Sequence, residues 1–504
     1  MEQAYDVIVI GAGNAGLSAA AALAQNGCRV LVLERSSVPG GCATSFVRGR
    51  FEFEPSLHEL ANVGTQTLPG SIRTMFDDLS ACIHWVNEKN AFRVIADGPD
   101  GYDVTLPAGM DAFCSEMERL VPGCRDGVEA FLECSEKAGD ALSYMSQGRP
   151  DPAVMMREHR DFMCAASHSV DVGMQALNIP PKAQSILKTY WPYLGAPTNE
   201  LDLAHYAMMV SRYVKGGPAI PYMRSHELSS ALDQVIRNYG GVLRYNAEVT
   251  EILVSDGAVC GVRVGAERLY ASYVVANCFP DTAYSKLIAP SAVPPQAVRL
   301  ANARKTGMLF FVVYLGLDRS AEELGIKDYS VFLFGTTDSV RQYKDCGDPA
   351  HSFVIANCLN TVIPDASPQN TCILSLTTML TQEAWGTVSP ENYRQVKNRI
   401  ADRMIGTYEN QLGISVRPHI EEIVVAAPPT FARYLNTPNG TPYGYEIQPW
   451  DTMVARIMSG RSERFIRDLY FVGAHAERSD GYSSTYANGR SVGEKIAKEL
   501  GRNE

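Results

Sequence analysis

The sequence predicts an α/β protein: a doubly wound, Rossmann-type parallel sheet with an α+β domain inserted into it. Three observations carry this prediction. A short run of β-branched apolar residues opens the chain and leads directly into a glycine triplet and a helix. Strand-like segments separated by turns return between residues 242 and 276. An apolar strand and a long helix then close the chain over residues 469–500.

The first element, Tyr5-Asp-Val-Ile-Val-Ile10, has the composition of a strand buried on both faces of a parallel sheet. Gly11-Ala-Gly-Asn-Ala-Gly16 follows at once. The alanine- and leucine-rich residues 17–26 read as a helix closed by Gly27. Residues 29–33 form the second strand, and Glu34 ends it. Residues 70–215 read as mostly helical, with segments at 110–120 and 128–141. An amphipathic helix is expected over 227–239, with Leu228, Leu232, Val235 and Ile236 on one face and Gly240-Gly241 at its end. Strands are expected at 242–245, 248–254, 259–264 and 270–276, with Ser255-Asp-Gly257 as a hairpin turn between two of them. Residues 290–455 mix strand and helix patterns.

Bulk properties exclude several classes. The 504 residues are 46% hydrophobic and 20% charged, as in ordinary globular proteins. A formal charge of -11 with scattered basic residues argues against a nucleic-acid partner. No secretory signal and no apolar stretch of spanning length is evident, so a cytoplasmic protein is expected; a peripheral contact with a membrane stays open. The 12 cysteines lie dispersed, without zinc-ligand spacing, and read as reduced thiols with no metal site.

The glycine triplet suits a dinucleotide for physical reasons. Gly11 permits a tight turn out of the strand, and Gly13 lets the backbone approach a pyrophosphate. Gly16 lets the helix pack closely on the strand. Asn14 and Ala15 open a helix whose free N–H groups face the phosphates. Glu34 stands where a carboxylate accepts hydrogen bonds from a ribose diol, which disfavours a 2′-phosphate; Arg35 beside it tempers that exclusion.

Which dinucleotide is bound follows from resemblance. Pro39-Gly40-Gly41, with Cys42 after it, resembles the second glycine pair of the flavoprotein group that includes amine oxidases and phytoene desaturases. Residues 248–254, with Val249, resemble the strand that lies against the adenine in that group. Leu469-Tyr-Phe-Val-Gly473-Ala474 and Asp480-Gly481-Tyr482-Ser483 resemble its C-terminal flavin segment. These matches imply non-covalent FAD. Residues 40–46, Phe51-Glu-Phe-Glu-Pro-Ser-Leu-His58 and Lys215-Gly-Gly-Pro-Ala-Ile-Pro221 look most like the phytoene desaturase, carotenoid isomerase and retinol saturase branch. Ala474 and the charged loop 476–481 depart from that branch and weigh against a purely hydrocarbon polyene.

The resemblance implies an FAD domain assembled from residues 1–70, 215–290 and 456–504, with a substrate domain from 71–214, mainly helical, and 291–455. The implied activity is desaturation, saturation or isomerisation, by flavin hydride transfer, at a C=C or CH–CH bond of a small apolar substrate such as an isoprenoid, polyene or unsaturated lipid, with an external electron donor or acceptor that the sequence does not name. An amine or amino-acid oxidase is the alternative, and a non-enzymatic prenyl- or lipid-binding protein the third reading. Saturating a C=C bond needs a proton donor. Position nominates His58 and Glu59 after the second glycine pair, and His475, Glu477, Arg478, Tyr482 and Tyr486 around the C-terminal segment. The aromatic cluster Tyr190, Trp191 and Tyr193 reads first as core packing, with lining of the substrate pocket as the alternative.

Overall fold

The computed structural model describes residues 5–146, 150–351, 353–459, 463–476 and 481–502. Two seven-stranded sheets organise it. In the first, five strands run parallel in the order Leu469–Phe471, Glu267–Ala276, Tyr5–Ile10, Val30–Leu33 and Val242–Arg244. Strands Val249–Ser255 and Ala258–Val264 extend it as an antiparallel hairpin against the first half of Glu267–Ala276. Their turn places Asp256 and Gly257 at positive φ, 52° and 74°, as a two-residue hairpin turn requires.

Strand alternation explains why the N-terminal run is apolar throughout. Val7, Val9, Val30 and Val32 pack on one face against the helix Asn14–Gln25, while Ile8, Ile10, Leu31 and Leu33 fill the core on the other. That helix begins within the glycine motif, before the expected residue 17, because Gly13 serves as its N-cap in extended conformation. The last helix, Gly481–Glu499, packs across it through glycines: a Cβ on Gly489 would lie 2.1 Å from the Ala15 carbonyl oxygen.

The second sheet runs Ile420–Ala426, Leu309–Leu317, Cys372–Leu380, Val354–Cys358, Ser330–Phe334, Asn90–Ala96, Tyr102–Pro107. The reading of 70–215 as mostly helical holds, but it passed over the strands near its start. Asn90–Ala96 and Tyr102–Pro107 form a hairpin, and the former pairs in parallel with Ser330–Phe334. Residues 93 and 331 meet across that pair, so the contact that fixes the strand lies far beyond any local window. Trp85–Asn87 is a further short strand, paired with Ala219–Pro221. The helical part of the reading stands in Met110–Leu120, Arg125–Ser146 and Leu203–Val214. These cover one face of the second sheet, and Tyr393–Leu412 covers the other. No helix among the described residues is long and apolar enough to cross a membrane.

Candidate functional site

One cavity of about 820 Å³ runs from the glycine loop to the second sheet. It opens at the carboxyl ends of the parallel strands, where doubly wound sheets bind ligands. Of the residues singled out from the sequence, Gly11, Gly13, Asn14, Ala15, Glu34 and Arg35 line its first part. Gly41, Cys42, Val249, Gly473, Ala474, Gly481, Tyr482 and Ser483 line it too, as do His58, Glu59 and His475. Gly16 and Gly40 do not reach the cavity surface; both are packing positions. A Cβ on Gly16 would stand 2.1 Å from the Gly11 carbonyl oxygen, and Gly40 N donates to Ala12 O at 2.7 Å, which locks the two glycine turns together. Glu477 and Arg478 lie outside the described residues.

Glu34 is fixed by its own neighbourhood. Its Oε2 accepts from Ala12 N and its Oε1 from Ser36 N, each at 2.7 Å. A carboxylate holding two backbone donors keeps lone pairs for further ones. Arg35 turns away from it and donates to the Arg433 and Tyr434 carbonyls at 2.7 and 2.9 Å. Burial pushes the Cys42 thiol up to about 11, so it stays protonated. Tyr482 donates to Cys42 O at 2.8 Å and lies 2.9 Å from Ser56 Oγ, which ties the last helix to the second glycine turn. Tyr486 donates to Asn14 Oδ1 at 3.0 Å from within the core, away from the cavity.

The other half of the cavity is apolar and aromatic. Along the helix Leu203–Val214, His205, Met208, Met209, Arg212 and Tyr213 share one face and line it. Phe310, Ile355, Met379 and Tyr443 face them. One polar cluster interrupts this surface. Tyr193 donates to Glu59 Oε1 at 2.8 Å, and its hydroxyl lies 3.3 Å from His58 Nδ1. His58 Nε2 lies 3.4 Å from Thr377 Oγ1. Burial raises the Glu59 carboxyl to about 8 and lowers the His58 imidazole to about 4. Near neutral pH both groups are therefore mainly uncharged. His475 is held neutral by burial too, its pKa lowered to about 3, and its Nε2 has no hydrogen-bond partner.

Tyr190 and Trp191 are core residues, as expected from the sequence: Tyr190 donates to Ala91 O and Trp191 Nε1 to Gln342 Oε1, each at 2.6 Å. Tyr193, read with them, instead lines the cavity. The sequence reading also passed over Asn277. With its amide oxygen toward the glycine loop, it accepts from Gly13 N and Gly16 N at 3.3 Å and donates to Val472 O at 3.1 Å. Its position just beyond Glu267–Ala276, at the carboxyl end of a parallel strand, was the available signal.

Comparison with known proteins agrees with this geometry. Residues 9–79 match the family model of an NAD(P)-binding Rossmann-like domain. The chain is 25% identical to the human (Homo sapiens) all-trans-retinol 13,14-reductase over 504 aligned residues, covering 93% of this chain and 82% of that protein. It is 23% identical to the chloroplastic prolycopene isomerase 2 of an Oncidium hybrid cultivar, covering 99% of this chain and 84% of that one. Among solved structures, an oxidoreductase from Methanosarcina mazei superposes with a TM-score of 0.62 at 16% identity, over 97% of this chain and 100% of that one. Cyclohexylamine oxidase from Brevibacterium oxydans gives 0.61 at 16% identity, over 99% of both chains. Sequence likeness to retinol reductases and prolycopene isomerases thus runs along nearly the whole chain, and the solved oxidoreductase structures share its fold.

Proposed function

We propose that this protein binds FAD and desaturates, saturates or isomerises a C=C or CH–CH bond in an apolar polyene or isoprenoid. The observation that carries the reading is the single cavity: a dinucleotide cradle at one end continues into a methionine- and aromatic-lined chamber whose polar cluster holds a protonated carboxyl.

The residues present fit the cofactor. Gly11 to Ala15 leave room for a pyrophosphate at the N-terminus of the first helix, where a Cβ at Gly13 would come within 2.7 Å of Asn277. Glu34 would hold the ribose and Val249 the adenine. Gly473 to His475 and Gly481 to Ser483 would border the isoalloxazine, with the last helix directing its positive end there. When bound, FAD supplies hydride transfer to or from carbon.

The chain's own contribution is positional and protic. Met208, Met209 and Phe310 exclude water and hold an apolar chain. Glu59 carries the proton that a saturating reaction delivers to carbon, and Tyr193 fixes its Oε1 so that the unpartnered Oε2 bears the acidic hydrogen. A positioned acid of matched pKa contributes about 10²–10⁴-fold. Tyr482 is committed to the Cys42 carbonyl and serves as a tether.

The test is to load purified protein with FAD, to reduce one portion anaerobically and offer it all-trans-retinol and prolycopene, and to give a second, oxidised portion putrescine and cyclohexylamine in air. Gain of two hydrogens by retinol, or isomerisation of prolycopene without change of mass, supports the proposal. Oxygen consumption with the amines alone overturns it in favour of an amine oxidase.

A further inference from the structure

Glu88 takes no part in the reading above, yet it is built against the cavity acid. Leu60 and Ala219 exchange backbone hydrogen bonds at 2.9 and 3.1 Å, and Asn87 pairs with Ala219 on its other side. Glu88 N donates to Pro218 O at 3.0 Å. Residues 59–61 and 86–88 thus flank one short strand. Strand alternation puts Glu59 and Glu88 on the same face of this patch, opposite Leu60 and Asn87.

Two carboxyl oxygens there, Glu59 Oε2 and Glu88 Oε1, are buried without a hydrogen-bond partner. Two negative charges so enclosed are unstable; a single proton held between them removes the repulsion. Burial and the proximity of Glu59 both raise the Glu88 carboxyl. Among the described residues, the surrounding titratable groups have partners of their own. Tyr190 and Tyr329 donate to the Ala91 and His58 carbonyls, and Tyr193 donates to Glu59. Glu54 is held by Ser56 N, Leu57 N and Ser225. Burial keeps His58 and Tyr213 uncharged, and Arg212 acts on Tyr213 from the same helix. Unlike Glu59, Glu88 sits in a turn whose neighbours Asn87, Lys89 and Asn90 are exposed.

We propose that Glu59 and Glu88 share one proton across this patch, and that Glu88 is the relay through which the cavity acid regains its proton from solvent. This rests on Glu59 as the acid of the proposed function. When the Glu59 carboxyl gives its proton to carbon it becomes a carboxylate. Both carboxyls are then ionised; Glu88 takes a proton from water at the turn and passes it to Glu59, so that the pair again holds one proton.

The experiment needs no substrate, so failure of the polyene reading leaves it decisive. FAD-loaded wild type, E88Q and E59Q are titrated with pH while protonated-carboxyl infrared absorption is followed. Wild type should lose its two carboxyl protons in separate steps. Each variant should show one intermediate step, displaced from the upper wild-type step by at least about one pH unit. An unchanged Glu59 midpoint in E88Q overturns the pair; if E88Q does not fold, the Glu88 midpoint in E59Q decides the same point. For the relay, proton uptake on photoreduction of the bound flavin is timed with a pH dye. Uptake in E88Q should be slower by roughly tenfold or more. An unchanged uptake rate overturns the relay.

Discussion

Replacing Gly16 by alanine probes whether the glycine loop holds the cofactor. The added Cβ would stand 2.1 Å from the Gly11 carbonyl oxygen and 3.1 Å from the end of the Asn277 side-chain amide. A comfortable carbon–oxygen contact is about 3.3 Å or more, so loop and helix must part by about 1.2 Å. Both neighbours are fixed: Gly11 N is bonded to Leu33 O at 2.8 Å, and Asn277 N to Ile10 O at 2.8 Å. Overpacking of this kind costs about 1–3 kcal/mol. The displaced turn forms the N-terminal end of the first helix, against which the pyrophosphate of the proposed cofactor would rest, so the cost falls in part on binding. FAD affinity should weaken by up to about 150-fold. Gly27→Ala is the control. Its φ is +74°, so alanine is strained there by roughly 1–2 kcal/mol, but nothing lies within 4 Å of the new methyl group. The assay is FAD titration by flavin fluorescence, alongside thermal melts of both variants. Gly16→Ala should lose affinity, whereas Gly27→Ala should melt earlier with its affinity intact. Wild-type affinity in Gly16→Ala, or equal loss in both variants, refutes the placement of the loop.

Two further outcomes are expected. The Glu59 carboxyl titrates near 8 in the fold against 4.5 when exposed, so its contribution to stability is complete below about 4.5 and is lost as pH rises through about 8. Melting temperatures of wild type should therefore fall relative to those of Glu59→Gln between pH 5 and 9, by the equivalent of about 1–3 kcal/mol; parallel curves would contradict the burial of a protonated carboxyl. Arg304, 8% exposed, binds Asp451 and Glu463, each at 2.9 Å, and Asp451 is 3% exposed. Arg304→Met leaves Asp451 with Arg456 alone and should cost about 3 kcal/mol, read as an earlier melt and faster limited proteolysis near residue 451.

The dinucleotide cradle was legible in the sequence because its parts are local. A β-branched run, three glycines, a helix and an acidic residue within the first 34 positions report their own conformations, and the hairpin at Asp256-Gly257 does the same. The polar cluster was legible only in pieces. His58 and Glu59 stood out by position, but Tyr190, Trp191 and Tyr193 could only be read together, as core or as pocket lining, because nothing local separates the three. The strand Asn90–Ala96 was missed because its parallel partner is Ser330–Phe334.

The sequence by itself determined the doubly wound architecture, the glycine turns and the family resemblance, since backbone conformation at glycine and the period of apolar residues are encoded over a few positions. Only the tertiary structure decided which residues share the cavity. It brought Thr377 to His58, Asn277 to Gly13 and Glu88 to the face that holds Glu59, juxtapositions made by strand pairing between distant segments. It also set the protonation of Glu59, because desolvation depends on what encloses a carboxyl rather than on what precedes it in the chain.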